Sequence, residues 1–253
     1  MAFFEMNYHS EALRMATTLY VILPESAKNG EGSYKTLYLL HGLSGDHTAW
    51  MRNTSIERYA AEYGIAVVMP SVARSWYTDT ADAAAYLTFV TEELPAVCRG
   101  FFRGMSDKRE DTLIAGLSMG GYGAIKAVLT HPTLYGGCAA LSGALDIASR
   151  TRKITLSEWR GIFGFDLAEA GELAGSKHDI FHLARQNKAE GKPFPKLYLW
   201  CGTEDHLITA NRNFHALLGE LDVAHTYEES EGDHTWRWWD MHIQDALRCL
   251  FGE

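Results

Sequence analysis

Short runs of consecutive apolar residues alternate along the chain with longer stretches whose apolar positions recur at helical spacing. That is the pattern of an α/β domain with a mostly parallel sheet covered by helices on both faces. The first two runs, Phe3–Tyr8 and Met15–Leu23, precede any helical stretch and predict an antiparallel opening. The segment Ser26–Ser33, centred on Lys28-Asn-Gly-Glu-Gly32, reads as a hairpin turn. Lys35–Leu40 is a buried strand running into the glycine loop His41-Gly-Leu-Ser-Gly-Asp46, and a helix is expected over Ser55–Tyr63. Further strands are expected at Ile65–Met69, Asp111–Ala115, Gly137–Leu141, Pro195–Trp200 and Ala224–Tyr227. A helix is expected over Ala83–Phe102 and another after Gly120, ending at His131-Pro132; Trp239, Ile243, Leu247 and Leu250 stripe a closing helix. The stretch 150–192 breaks this alternation. Rich in Gly, Lys and Glu and patterned as short helices, it reads as a small cap-like insertion within a single domain over 1–253.

Composition narrows the function classes. With 253 residues and 47% hydrophobic content, the chain can bury a large core. Its formal net charge of −9 removes the electrostatic term on which phosphate-tracking nucleic-acid binders depend, so no nucleic-acid partner is expected. Cys98, Cys138, Cys201 and Cys249 are widely spaced, without a C-x-x-C pair, and read as reduced, buried thiols. Residues Met1–Tyr8 carry no signal-peptide pattern and no apolar run is long enough to span a bilayer, so a soluble cytoplasmic protein without membrane contact is expected.

The candidate chemistry begins at Gly116-Leu-Ser118-Met-Gly120, placed where a buried strand meets a small-residue helix. This context makes it a candidate nucleophile elbow: the tight turn leaves no room for side chains at Gly116 and Gly120, and the helix start presents free N–H groups to developing negative charge. A serine hydroxyl needs a base to take its proton and a carboxylate to hold that base. Both are available downstream in loops after strands, as Gly202-Thr-Glu-Asp205 and Gly232-Asp-His234, in the order Ser118, Asp205, His234. Glu204 is a competing acid, Asp233 a local cap or second acid, and His206, His215, His225 and His242 are competing bases. Oxyanion donors are expected from the backbone N–H of Met119 and, through the His41-Gly42 turn, of Leu43. No metal and no organic cofactor is required. His178 and His182 sit one helical turn apart without the glutamate of a zinc protease, and read as a solvated helix face. The tryptophans of Trp236-Arg-Trp-Trp239 read as core and collar.

Taken together, His41-Gly-Leu-Ser-Gly-Asp46, Gly116-Leu-Ser-Met-Gly-Gly121, Gly202-Thr-Glu-Asp205 and Gly232-Asp-His234 resemble the esterase D-related α/β-hydrolases, and among them most the bacterial tributyrin esterases. The resemblance covers nearly the whole chain. It implies a serine carboxylesterase acting on small short-chain acyl or aryl esters, with Ser118, Asp205 and His234 as triad and Leu43 and Met119 as oxyanion donors. It also makes a homo-oligomer an expectation, and suggests that Trp76 or Tyr77, in Ser75-Trp-Tyr-Thr-Asp79, lines the substrate pocket. Alternatives within the group are S-formylglutathione hydrolases and feruloyl or acetyl-xylan esterases. The first usually carry a cysteine soon after the oxyanion loop, where this chain has Gly45-Asp46. A catalytically silent hydrolase fold used for binding is the non-enzymatic alternative.

Overall fold

The computed structural model describes residues 1–29, 32–81, 84–148, 156–164 and 173–252. Its described strands form one eight-stranded sheet in the order β1-β2-β4-β3-β5-β6-β7-β8. β1 (Ala2–Ser10) and β2 (Met15–Leu23) form an antiparallel hairpin in full register, Ala2 opposite Leu23 and Ser10 opposite Met15. The connecting turn is at residues 11–14, with Arg14 at φ 56°. After β2 the chain enters a 3₁₀ turn over Glu25–Asn29, Gly30 and Glu31 lie outside the described residues, and β2 pairs next with β4, antiparallel, not with β3. The hairpin expected at Ser26–Ser33 is thus replaced by a crossover. β3 (Thr36–Leu40), β4 (Ala66–Pro70), β5 (Thr112–Leu117), β6 (Gly137–Leu141), β7 (Lys196–Gly202) and β8 (Thr226–Ser230) are mutually parallel.

Successive side chains of a strand face opposite sides, so a central strand apolar at every position feeds two cores. Leu37 and Leu39 of β3, with Leu113, Ala115 and Leu117 of β5, pack beneath α1 (Ala49–Asn53), α2 (Ile56–Tyr63) and α9 (Trp236–Phe251). Tyr38 and Leu40 of β3 and Ile114 of β5 face the opposite layer. That layer holds α3 (Tyr86–Thr88), α4 (Leu94–Phe101), α5 (Met119–Thr130), α7 (Ile180–Ala189) and α8 (Ile208–Glu220). Between α3 and α4 the backbone widens into a π-turn over Phe89–Glu93. Pro95 follows after Leu94; it has no N–H to bond the Thr91 carbonyl and its ring crowds the preceding turn, which a π-turn relieves.

Within 150–192, residues 150–155 and 165–172 lie outside the described set; the described residues contain α6 (Leu156–Phe163) and α7 and no strand. Trp159 of α6 stacks on Trp76, and Arg74 forms an ion pair with Glu158, so α6 lies against the loop that follows β4. Cys98, Cys138 and Cys201 are buried free thiols, while Cys249 is only partly buried. Among the described residues, no helix is long and apolar enough to cross a membrane.

Candidate active site

β5 ends at Leu117 and α5 begins at Met119, so Ser118 is the sole residue of the turn between them and takes φ 53°, ψ −115°. Such a conformation costs about 1–3 kcal/mol and persists only where the surroundings impose it. Here they do. Ser118 N–H donates to Leu141 O at 3.0 Å, and Ser118 O accepts from Tyr122 N–H at 3.1 Å and Ala144 N–H at 2.9 Å. The flanking glycines are demanded by contact: a Cβ on Gly116 would lie 2.4 Å from the Gly120 backbone, and one on Gly120 would lie 2.5 Å from Leu40 O.

The acid and base loops, after β7 and β8, are bound edge to edge. Thr203 N–H donates to Ser230 O (2.9 Å) and Glu204 N–H to Gly232 O (3.0 Å), while Glu204 Oε2 accepts Gly232 N–H at 2.7 Å. Gly202 permits this approach, since a Cβ there would stand 2.1 Å from Gly232 O. Glu204 is thereby turned outward as a staple between loops. Asp205, whose N–H closes a turn onto Gly202 O, points inward, is 2% exposed, and receives His234 Nδ1 on Oδ2 at 2.7 Å. His234 Nε2 lies 3.0 Å from Ser118 Oγ. These two contacts connect Asp205, His234 and Ser118 in one chain. Burial pushes the Asp205 carboxyl up, but the hydrogen bond and charge of His234 and the Leu207 N–H outweigh it, leaving the group below the usual carboxylate range.

The competing residues are engaged elsewhere. Asp233 accepts from the Thr235 hydroxyl. His215 and His225 contact each other at 2.7 Å, and His242 lies between Ser230 and Asp245 while stacking on Trp200. His206 stands beside Asp205, its Nδ1 3.5 Å from Oδ1. The reading of His178 as part of a solvated helix face does not hold. It precedes α7, is 2% exposed and has Nδ1 3.2 Å from the Nζ of buried Lys126, whereas His182 is on the exposed surface. Its burial follows from the fold of α7 back onto α5, which spacing alone does not reveal.

The expected oxyanion loop lies against the elbow. A Cβ on Gly42 would be 3.6 Å from Ser118 Cβ, so the Gly42–Leu43 peptide runs alongside the serine. Its carbonyl is held twice, by Gly45 N–H at 3.0 Å and by His41 Nδ1 at 2.7 Å. His41 Nε2 accepts Val72 N–H at 3.1 Å, which requires a neutral ring protonated on Nδ1. Burial lowers the pKa of His41, against the opposing pull of the Gly42 hydrogen bond. Because a trans peptide points its C=O and N–H in opposite directions, fixing Gly42 O also aims Leu43 N–H. Met119 supplies the first N–H of α5, which has no partner within a helix.

A cavity of about 1380 Å³ opens at this point. Leu43, Leu117, Trp76, Trp236 and Trp239 form apolar walls around Ser118 and His234, and Asp46, Arg52, Asn53, Arg74 and Asp146 form a polar rim. Of the expected aromatic pair, Trp76 lines the cavity. Tyr77 does not: it is 1% exposed, packs on Gly123 and donates its hydroxyl to His41 O at 2.8 Å. Consecutive positive φ values at Trp76 (53°) and Tyr77 (48°) send the two rings to different places. Arg52, Arg74 and Asp146 were not singled out in the sequence; no local motif marks them, and only tertiary folding brings their three segments to one rim.

A family model described as "Putative esterase" matches residues 10–250. The chain belongs to this esterase family. Among curated relatives, the acetyl esterase of Caldicellulosiruptor saccharolyticus is 34% identical, covering 99% of this chain and 98% of its own. Among solved structures, the esterase resembles FphF, a fluorophosphonate-binding serine hydrolase of Staphylococcus aureus, with a TM-score of 0.92 and 35% identity over 100% of this chain and 99% of that one. It is also similar to the S-formylglutathione hydrolase FrmB of the same organism, at TM-score 0.89 and 36% identity over 99% and 98% of the two chains. The esterase is thus an α/β-hydrolase and a serine carboxylic ester hydrolase.

Proposed function

We propose that this esterase hydrolyses short-chain acyl and aryl esters through an acyl-enzyme on Ser118. The observation that carries this reading is the unbroken contact chain from Asp205 Oδ2 to His234 (2.7 Å) and from His234 to Ser118 Oγ (3.0 Å) at the floor of the cavity. His234 Nε2 takes the serine proton as Oγ attacks the ester carbonyl, and Asp205 holds the ring in the Nδ1–H tautomer and stabilises the imidazolium that forms. Leu43 and Met119 N–H groups receive the tetrahedral oxyanion. His234 passes the proton to the leaving alcohol and then activates water to release the acid. The stacked Trp76–Trp159 pair and the Arg74–Glu158 ion pair support a role for α6 in limiting substrate size. The apolar walls suit a small acyl group or an aromatic ring, while the rim suits a polar leaving alcohol.

A second reading, hydrolysis of a formyl thioester of a charged thiol, is favoured by the exposed Arg52 at the rim and by the similarity to FrmB. Rates on p-nitrophenyl acetate and butyrate, acetylated xylan, a feruloyl sugar and S-formylglutathione rank these substrates, and Ser118→Ala should abolish turnover of each. Wild-type turnover by that variant would end the proposal.

A further inference from the structure

Three metal-ligating side chains converge at the edge of the cavity. Ligand atoms of Asp205, His206 and His234 all lie within 4.8 Å of one another, the single such group of three among the described residues. Asp205 Oδ2 meets His234 Nδ1 at 2.7 Å, Asp205 Oδ1 stands 3.5 Å from His206 Nδ1, and the two imidazole rings are 4.6 Å apart. The His206 side chain is 51% exposed and stands on the short turn before α8.

We propose that Asp205, His206 and His234 form a reversible site for Zn²⁺ or a chemically similar divalent transition ion, whose occupancy switches the hydrolase off. Two imidazoles and one carboxylate, with water in the fourth position, are a donor set suited to Zn²⁺, Ni²⁺ or Cu²⁺; Mg²⁺ and Ca²⁺ require more oxygen ligands. With metal–ligand bonds of about 2.0–2.2 Å in a tetrahedron, neighbouring ligand atoms sit roughly 3.3 Å apart. Asp205 Oδ2 is the ligand oxygen, and His206, whose Nδ1 stands 3.5 Å from the other oxygen, Oδ1, must turn towards Oδ2 to complete the set. The Asp205–His234 contact of 2.7 Å must open by roughly half an ångström as the ion replaces the bridging proton. Leu207 N–H, bonded to Asp205 Oδ1 at 2.8 Å, anchors the carboxylate from behind during this change.

The inhibitory consequence comes from the tautomer. An ion on His234 Nδ1 takes the lone pair of that nitrogen, so the ring proton moves to Nε2. The imidazole stays neutral and no proton is lost, but an Nε2–H cannot accept the proton of Ser118. The ring therefore remains in place and ceases to be a base. The site itself stands on geometry; its inhibitory effect rests on the triad reading given above.

The test separates the two. Ser118→Ala keeps all three ligands, so titration calorimetry with ZnCl₂ should show one bound ion in that variant. His206→Asn should weaken binding by ~10-fold or more, while His206→Asp, which retains a ligand, should stay within ~10-fold of the parent. In the wild-type protein, saturating Zn²⁺ should slow fluorophosphonate labelling by ~10-fold or more, with recovery on adding EDTA and no effect of Mg²⁺. Absence of zinc binding by Ser118→Ala, or unchanged zinc affinity in His206→Asn, overturns the site. Zinc binding without slowed labelling overturns the switch. Failure of the metal-free wild type to label or to turn over esters would instead refute the triad reading.

Discussion

Replacing His41 with alanine removes a clamp that lies outside the chemistry and yet should set its rate. His41 Nδ1–H holds Gly42 O at 2.7 Å, and its Nε2 accepts Val72 N–H at 3.1 Å, so one buried ring ties the oxyanion loop to the segment after β4. Leu43 N–H belongs to the same peptide as Gly42 O, and losing the clamp frees that peptide to swing. Complete loss of one oxyanion donor costs about 2.7–4 kcal/mol of barrier, or ~10²–10³ in rate. The Gly45 N–H to Gly42 O bond remains at 3.0 Å and retains part of the aim, so a fall in kcat of ~10–100-fold is expected. KM should change little, because the donor acts mainly on the tetrahedral state. Folding stability should drop as well, by about 1–3 kcal/mol for the buried Val72 N–H left without its acceptor, plus the cost of the vacated volume. Steady-state kinetics on p-nitrophenyl acetate, run below the variant's unfolding temperature, checks this. A kcat within ~3-fold of wild type would show that the loop is aimed without His41 and would refute the reasoning.

Three further outcomes follow from the same geometry. Asp205→Asn preserves shape but disrupts the His234 tautomer, and should lower kcat by ~10⁴ with little change in KM; a drop of only a few-fold would assign the acid role elsewhere. Glu204→Gln keeps an oxygen for Gly232 N–H and should retain near-wild-type kcat, whereas Glu204→Ala should lower kcat; equal values in both variants would deny the loop staple. Burial drives the Lys126 ammonium from its ordinary 10.5 down to about 7. Between those values the unfolded chain binds a proton that the native protein does not, so native stability rises with pH by up to ~1.4 kcal/mol per unit. Urea unfolding of wild type and Lys126→Met across that window should diverge in favour of wild type as pH increases; parallel curves would contradict the depressed pKa.

Much of the site was legible because its constraints are local. Gly116 and Gly120 flank a serine between a strand and a helix, and the structure shows the backbone contacts that exclude side chains at both. The loops bearing Asp205 and His234 follow strands, where open α/β sheets place their chemistry. The sequence favours Asp205 over Glu204 as the acid but holds no local feature that explains the choice. The two are neighbours on one turn and point oppositely, and which faces inward depends on the bonds of the loop to Gly232. The hairpin expected after Leu23 has a similar origin: Lys28–Gly32 carries strong turn residues, but β2 pairs with the distant β4 and not with β3. Tyr77 and His178 were misread because a polar aromatic in a loop and a histidine before a helix look alike whether they face solvent or the core. Their partners, His41 O and Lys126, are distant in sequence.

The central claim is that Ser118 is the nucleophile of this esterase, and covalent mapping tests it most directly. Incubation with a fluorophosphonate followed by peptide mass spectrometry should place a single adduct on the peptide containing Ser118, and none on Ser118→Ala. An adduct on a different residue, or ester hydrolysis that persists in protein fully labelled at Ser118, would contradict the account.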